Sequence, residues 1–288
     1  MPLPDLIRES KLMRAPLLTA SRAVFSLLSK GPPLLRRAVY DALPIPFLVT
    51  GHPEKYVVST ADKVIGRELF LHGEFDFAKL QTALAIIERE GLPTPTHLID
   101  VGANIGTITI PAIKRGLVQT ATAIEPHPGN LRLLRANLAL NGVEDSVTVL
   151  AQAVGNQTGV TLYLHESATN SGNHTISTNG IPVRSTQLDD LSFPPESLLW
   201  MDIEGYEGHA LMGAVQLLSK GMPVVCECNP AYLAKTNGMV LFEQAMNDRV
   251  IFDLKGNQHD QTCLAELTEK YRGGDNFTDI LAIEKSRA

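Results

Sequence analysis

The chain has 288 residues, 44% of them hydrophobic and 19% charged, which is enough apolar content for a sizeable core and excludes a disordered chain, a collagen-like repeat or a coiled coil. Its formal net charge of −6 disfavours a phosphate backbone as ligand, so no nucleic-acid partner is expected. The three cysteines, Cys226, Cys228 and Cys263, are too few for a disulfide framework and fit a reducing, cytoplasmic setting.

Charge is uneven along the chain. Residues 1–40 hold seven basic side chains against Asp5 and Glu9, a net of +5. The first 30 residues have the spacing of one or two basic amphipathic helices. They read as a helical arm packed on the main domain, and they would also suit peripheral contact with a membrane surface. The apolar stretch from Ala15 to Leu28 is interrupted by Arg22 and lacks a convincing cleavage site. No apolar run approaches the ~18 residues that a membrane span requires. Pro32, Pro33, Pro44 and Pro46 punctuate the chain beyond this arm, and residues 1–70 are taken as the arm and its lead-in.

From about residue 95 strands and helices alternate. His97–Val101 is a short apolar run ending in a glycine-rich turn, and residues 105–114 suit a helix. Thr120–Ile124 reads as a second strand, Leu131, Leu134 and Leu138 as a helix stopped by Asn141-Gly142, and Val147–Ala151 as a third strand. A polar, β-rich stretch runs from Gly159 to Arg184. A fourth strand at 198–202 precedes a helix around Leu211, Val215 and Leu218; a fifth strand at 223–228 precedes helical residues 232–246, with Gly238 a weak point. Residues 250–254 and 278–284 read as closing strands. Such alternation implies a mostly parallel sheet covered on both faces, with ligands beyond the carboxyl ends of its strands.

The polar residues at those ends carry the chemistry. Asp100-Val-Gly-Ala-Asn-Ile-Gly106 follows a strand and opens a helix. Gly102 and Gly106 allow a tight turn beside a ligand, with Ala103 and Asn104 between them. A dinucleotide fingerprint would carry glycine at 104, and Asp100 would repel a pyrophosphate. A carboxylate there suits S-adenosylmethionine (SAM), which has an ammonium, a sulfonium and no phosphate. Glu125, with Pro126 after it, is placed to accept the hydroxyls of a ribose, and Gln152-Ala153 to contact adenine. Trp200-Met-Asp-Ile-Glu-Gly-Tyr-Glu207 puts Asp202 and Glu204 at the tip of the fourth strand, as active-site acids or as a helix cap. Asp202 belongs to both the cofactor set and the catalytic set. The segment His165–Thr175 suits an acceptor loop or a solvated hairpin, and His165 and His174 are candidate bases. Cys226 and Cys228 read as core thiols, since no second Cys/His pair completes a zinc site.

These motifs, together with Asn137-Leu-Ala-Leu-Asn-Gly142 and Ser185-Thr-Gln-Leu-Asp-Asp190, occur in the order seen in the FkbM-type SAM-dependent methyltransferase family, which residues 70–230 resemble. The resemblance implies the class I methyltransferase fold, a Rossmann-like α/β architecture with a seven-stranded, mostly parallel sheet whose last strand is antiparallel. It assigns residues 71–288 to the methyltransferase domain. It implies O-methylation of a hydroxyl on a sugar, glycolipid, polysaccharide or natural product. It also places the segment His72-Gly-Glu-Phe-Asp76 near the cofactor, with Glu74 as the contacting residue. A base drawn from Asp202, Glu204 or His174 would take the acceptor's proton. Alternatively Asp202 and Glu204, with Glu227 or Asn229, would hold Mg²⁺. An RNA or protein N-methyltransferase would keep the same SAM site, but no Asn-Pro-Pro-Tyr-like segment follows the fourth strand. A non-catalytic protein on the same fold is the remaining alternative.

Overall fold

The structure is a computed structural model that describes residues 30–42, 45–50, 53–255, 261–272 and 276–285, with isolated residues between 16 and 26. The expected basic arm lies largely outside the described residues. Among the described residues no helix is long and apolar enough to cross a membrane.

In chain order the elements begin with α1 (Pro33–Ala42), a hairpin of β1 (Phe47–Thr50) and β2 (Tyr56–Ser59), α2 (Ile65–His72) and α3 (Phe77–Arg89). The alternating part comes next: β3 (His97–Val101), α4 (Thr109–Lys114), β4 (Thr120–Ile124), α5 (Pro128–Asn141) and β5 (Val147–Leu150). A small sheet succeeds it, built from β6 (Ala153–Val154), β7 (Thr161–His165), β8 (Thr175–Ser177) and β9 (Ile181–Thr186). The chain then re-enters the main sheet through β10 (Ser197–Met201), α6 (Glu207–Met212), α7 (Val215–Ser219), β11 (Val224–Cys228), α8 (Pro230–Lys235) and α9 (Met239–Met246). It closes with β12 (Arg249–Asp253), β13 (Gln261–Thr262), α10 (Leu264–Lys270) and β14 (Thr278–Glu284).

The main sheet runs β13-β12-β14-β11-β10-β3-β4-β5. From β11 to β5 every pairing is parallel, and β14 inserts antiparallel between β11 and β12. The seven expected strands are all present with the last one antiparallel. The sheet has eight because the two-residue β13 adds to its edge beside β12. So short a strand has too little sequence for an alternation signal.

Alternation divides the core. Leu98, Trp200, Val225 and Leu281 face one hydrophobic cluster, while Ile99, Leu199, Met201, Val224 and Cys226 face the other. Both faces are covered, so these strands are apolar throughout. Cys226 and Cys228 are buried free thiols in the second cluster, as expected. Tyr40, Tyr56, Val58, Ile65 and Leu69 pack into the first cluster, so the described part of the lead-in lies on the sheet rather than apart from it. The helix expected around Leu211–Leu218 is two short helices, and residues 232–246 divide into α8 and α9 just before Met239.

Register positions the site. Val101 lies opposite both Met201 and Ile124, and Met201 opposite Cys226. Gly102, Asp202, Glu125 and Glu227 therefore leave the sheet along one edge.

Candidate active site

That edge opens into a cavity of about 880 Å³, part of it open to solvent, lined by Asp76, Asp100, Gly102, Ala103, Asn104, Glu125, Pro126, Ala153, Asp202 and Tyr206, among others. The loop after β3 is held by backbone hydrogen bonds from Gly102 and Ala103 N–H to the Ile124 carbonyl, 2.9 and 3.1 Å. Asn104 sits at φ +50 and donates its backbone N–H to Glu125 Oε2 at 2.9 Å; His127 N–H donates to Glu125 Oε1 at 2.8 Å. Both carboxylate oxygens of Glu125 are thus fixed while retaining lone pairs for a ligand's hydroxyls. Burial pushes the Glu125 carboxyl up to about 7, against the pull of those backbone donors. Asp100 accepts the Thr109 hydroxyl, and burial raises it to about 6.

Gly102 has φ +86, and a Cβ there would lie 2.0 Å from the Asp202 carbonyl oxygen. Its lack of a side chain lets the loop after β3 lie against the exit of β10. The expectation that glycine here clears space for the cofactor is therefore refined: the space belongs to Asp202. Gly106 does not line the cavity. A Cβ on it would meet Ile110 and Leu134, so it seats the loop on α4 and α5.

Beyond β10 and β11 four carboxylates converge. Ligand atoms of Asp202, Glu204 and Glu227 lie within 4.8 Å of one another. Glu207 stands beside them and accepts Ile203 N–H at 2.9 Å. Asp202 Oδ1 and Glu207 Oε2 are buried and lack a hydrogen-bond partner. Burial raises the whole group: Asp202 to about 6, with repulsion by Asp279 and Asp76 added, Glu207 to about 8, and Glu204 and Glu227, which their cluster neighbours also repel, higher still. Glu227 stands beside Asp202, their ligand atoms within 4.8 Å of each other, and the neighbouring Asp202 carboxylate adds to burial in raising Glu227. Glu204 itself sits in the left-handed region at φ +55, a costly conformation for a non-glycine residue. The helix-cap alternative does not hold for Asp202 and Glu204: α6 begins at Glu207, and its N-cap position, Tyr206, makes no side-chain capping bond. Asn229, the alternative to Glu227 as the third ligand, is engaged as the N-cap of α8, accepting Tyr232 N–H at 3.2 Å.

The polar segment 165–175 connects the antiparallel strands β7 and β8, His165 pairing with Thr175, and is a hairpin only partly solvated. Ser171, Gly172 and His174 fold over the cavity, tied down by Asn130 Nδ2 to the Ser171 carbonyl (2.9 Å) and Ser171 Oγ to Asp62 Oδ2 (2.6 Å). His174 packs on the His127 ring at 4.1 Å, and His127 Nε2 bonds Glu166 at 2.8 Å. His174 Nδ1 accepts the Ser167 N–H at 3.1 Å, and burial lowers its pKa to about 4. The neutral ring therefore carries its proton on Nε2. His174 is a hydrogen-bond donor to the cavity, and its expected role as a base is corrected accordingly. His165 is exposed.

Glu74 is also corrected. It is exposed and pairs with Arg115 at 3.3 Å, outside the cavity. Asp76, two residues on, lines the cavity instead. It stands at φ +57 before α3 and is bridged with Asp279 by Lys79, at 2.8 and 2.6 Å. The sequence points to the right segment but the wrong acid. Tyr206, inside the 200–207 motif, has no role that the sequence alone suggests, yet it lines the cavity.

The strand order and the carboxylates ending β3 and β4 define the class I SAM-dependent methyltransferase fold. The chain belongs to the FkbM methyltransferase family: residues 100–280 match the methyltransferase FkbM domain. No curated protein is similar enough to count as a match. Among solved structures, a methyltransferase FkbM from Methylobacillus flagellatus KT is 18% identical with a TM-score of 0.44, over 77% of this chain and 55% of that one. This chain therefore spans little more than half that protein's length. The O-methyltransferase from Bacillus cereus in complex with SAH is 13% identical with a TM-score of 0.40, over 78% of this chain and 99% of that one. The M. jannaschii tRNA m1G37 methyltransferase is 13% identical with a TM-score of 0.41, over 85% and 59%. The family assignment rests on the domain match and not on these likenesses.

Proposed function

We propose that the chain methylates a hydroxyl oxygen of a sugar, glycolipid, polysaccharide or natural product. The cavity fits SAM by the chemistry of its donors: Glu125 for the ribose hydroxyls, Asp76 and Asp100 for cationic groups, and Ala153 and Pro126 as apolar walls. When bound, SAM supplies a methyl group on a positively charged sulfur.

The observation that carries the oxygen assignment is the unpartnered Oδ1 of Asp202, buried at the cavity wall. An aliphatic hydroxyl is a poor nucleophile until its proton is taken. A carboxylate with a pKa of about 6 is ionised at neutral pH and has affinity for that proton. Glu227 stands beside that carboxylate, its ligand atom within 4.8 Å. His174 Nε2–H orients an acceptor oxygen or a cofactor carboxylate.

The three close ligand atoms of Asp202, Glu204 and Glu227 support a second reading, in which they hold Mg²⁺ that acidifies the hydroxyl. The test supplies tritium-labelled SAM and a panel of hydroxylated glycosides. Asp202→Asn is expected to slow label transfer at least ~100-fold while SAM affinity holds. EDTA separates the readings: activity lost and restored by Mg²⁺ means a metal, and indifference means a side-chain base. Transfer to amines of RNA or protein, with none to hydroxyls, overturns the oxygen assignment.

A further inference from the structure

A second cavity of about 1200 Å³, partly open to solvent, adjoins the first and shares the walls Ile176 and Tyr206 with it. Glu204 lines it as well. The acidic cluster therefore borders both cavities, Asp202 lining the first and Glu204 the second. One wall of the second is β8 and the residue after it, where Thr175, Ser177 and Thr178 present hydroxyls that make no hydrogen bond among the described residues. The opposite wall is α8, with Tyr232 and Lys235.

Lys235 is exposed and lies over the Tyr232 ring, 4.4 Å from its centre, with no carboxylate within ion-pairing distance among the described residues. An exposed cation resting on a half-buried ring, without such an ion-pair partner, is free to turn to an anion. Glu204, the other charged residue of this cavity, is drawn into the cluster with Asp202 and Glu227. A single lysine is too little for a polyanionic strand, whose binding uses many phosphate contacts. Hydroxyls without partners instead match a ligand that is itself rich in hydroxyls.

We propose that this second cavity is the acceptor site, and that the acceptor is a hydroxylated ring bearing an anionic group that Lys235 receives. This rests on the methyltransferase reading above. The hydroxyls of β8 select the sugar-like face of the ligand, while Tyr206 and Glu204 stand where its reactive hydroxyl meets the SAM cavity. A carboxylate and a phosphate ester share the required chemistry.

The test uses the full chain saturated with S-adenosylhomocysteine, with saturation-transfer NMR on three probes: methyl glucoside, methyl glucuronide and glucose 1-phosphate. The anionic probes should bind at least ~10-fold more tightly than methyl glucoside, and the exposed substitution Lys235→Met should abolish that preference without changing S-adenosylhomocysteine affinity. Binding of only one anionic probe supports the site and identifies the anion. Equal binding of the neutral probe, a preference surviving Lys235→Met, or no sugar binding to the loaded chain overturns the proposal and leaves the cofactor assignment intact. Failure of S-adenosylhomocysteine itself to bind overturns the methyltransferase reading, and the acceptor site with it.

Discussion

The ends of β3 and β4 and the ends of β10 and β11 leave the same edge of one sheet, yet they treat their carboxylates in opposite ways. On the first side each acid is fixed by donors: Glu125 by two backbone N–H groups, and Asp100 by Thr109. On the second side four acids crowd together, two of their oxygens buried without a partner. The first arrangement is pre-organised and passive, able to receive neutral hydroxyls and cations without rearranging. The second holds its acids partly protonated, and a cationic or proton-donating ligand group would compete with those protons. In the proposed reading, binding falls to the first side and chemistry to the second.

The largest effect is expected at the residue joining the two sides. Gly102→Val would drive a side chain into the Asp202 carbonyl from a left-handed backbone position. SAM binding should be lost in calorimetry, with a lowered melting temperature. Wild-type SAM affinity in this variant would mean that the loop is not the wall between the two sides.

Next comes the passive side alone. Glu125→Ala should weaken SAM by about 1.5–3 kcal/mol, the range for losing a charged hydrogen-bond partner, with NADH not bound by either protein. If the two sides are separable, Glu227→Gln should leave SAM affinity almost unchanged, so the ratio of the two effects measures the division directly.

Much of this division is legible in the sequence. Strands buried on both faces show as continuous apolar runs, so the ends of 97–101, 120–124 and 198–202 are visible, and with them Asp100, Glu125 and Asp202. The rest depends on three-dimensional neighbours. The tautomer of His174 is set by the Ser167 N–H. The closeness of Glu227 to Asp202 is set by strand register. The β1–β2 hairpin escapes a sequence reading because its four-residue strands are short and β1 is apolar on its exposed face at Phe47 and Val49, while only Tyr56 and Val58 of β2 reach the core.

A smaller effect concerns pH. The carboxylates on both sides have raised values when folded, so the folded chain binds protons more tightly than the unfolded chain. Stability is then fullest below the ordinary carboxylate range and falls as pH rises through the folded values, about 6 for Asp100 and Asp202, about 7 for Glu125, about 8 for Glu207 and about 9 for Glu204. Above about pH 8 the passive side has ionised, and the further loss belongs to the crowded side together with the buried thiols of Cys226 and Cys228, which burial also raises. Melting curves of the unliganded chain in EDTA should show that later fall, and Glu227→Gln should make it shallower. A curve that is flat above pH 8 in the wild type would mean that the four acids do not repel one another as their spacing requires.

The smallest effect distinguishes two acids only two residues apart. Glu74 shares Arg115 with Glu54, and Arg115 reaches Glu54 through Nε at 3.0 Å and Nη2 at 2.8 Å. Glu74→Ala therefore removes only the exposed half of that network, and exposed pairs contribute about 0–1 kcal/mol. Neither SAM affinity nor melting temperature should move measurably. Asp76→Asn tests the opposite expectation. Asparagine tolerates the left-handed backbone at this position, so the fold is preserved while the charge facing the cavity is removed. SAM binding should weaken, and the loss should shrink with added salt to the extent that the lost interaction is exposed to solvent. If Glu74→Ala weakens SAM and Asp76→Asn does not, the start of α3 presents the other acid to the cofactor, and the cavity wall must be redrawn around Glu74.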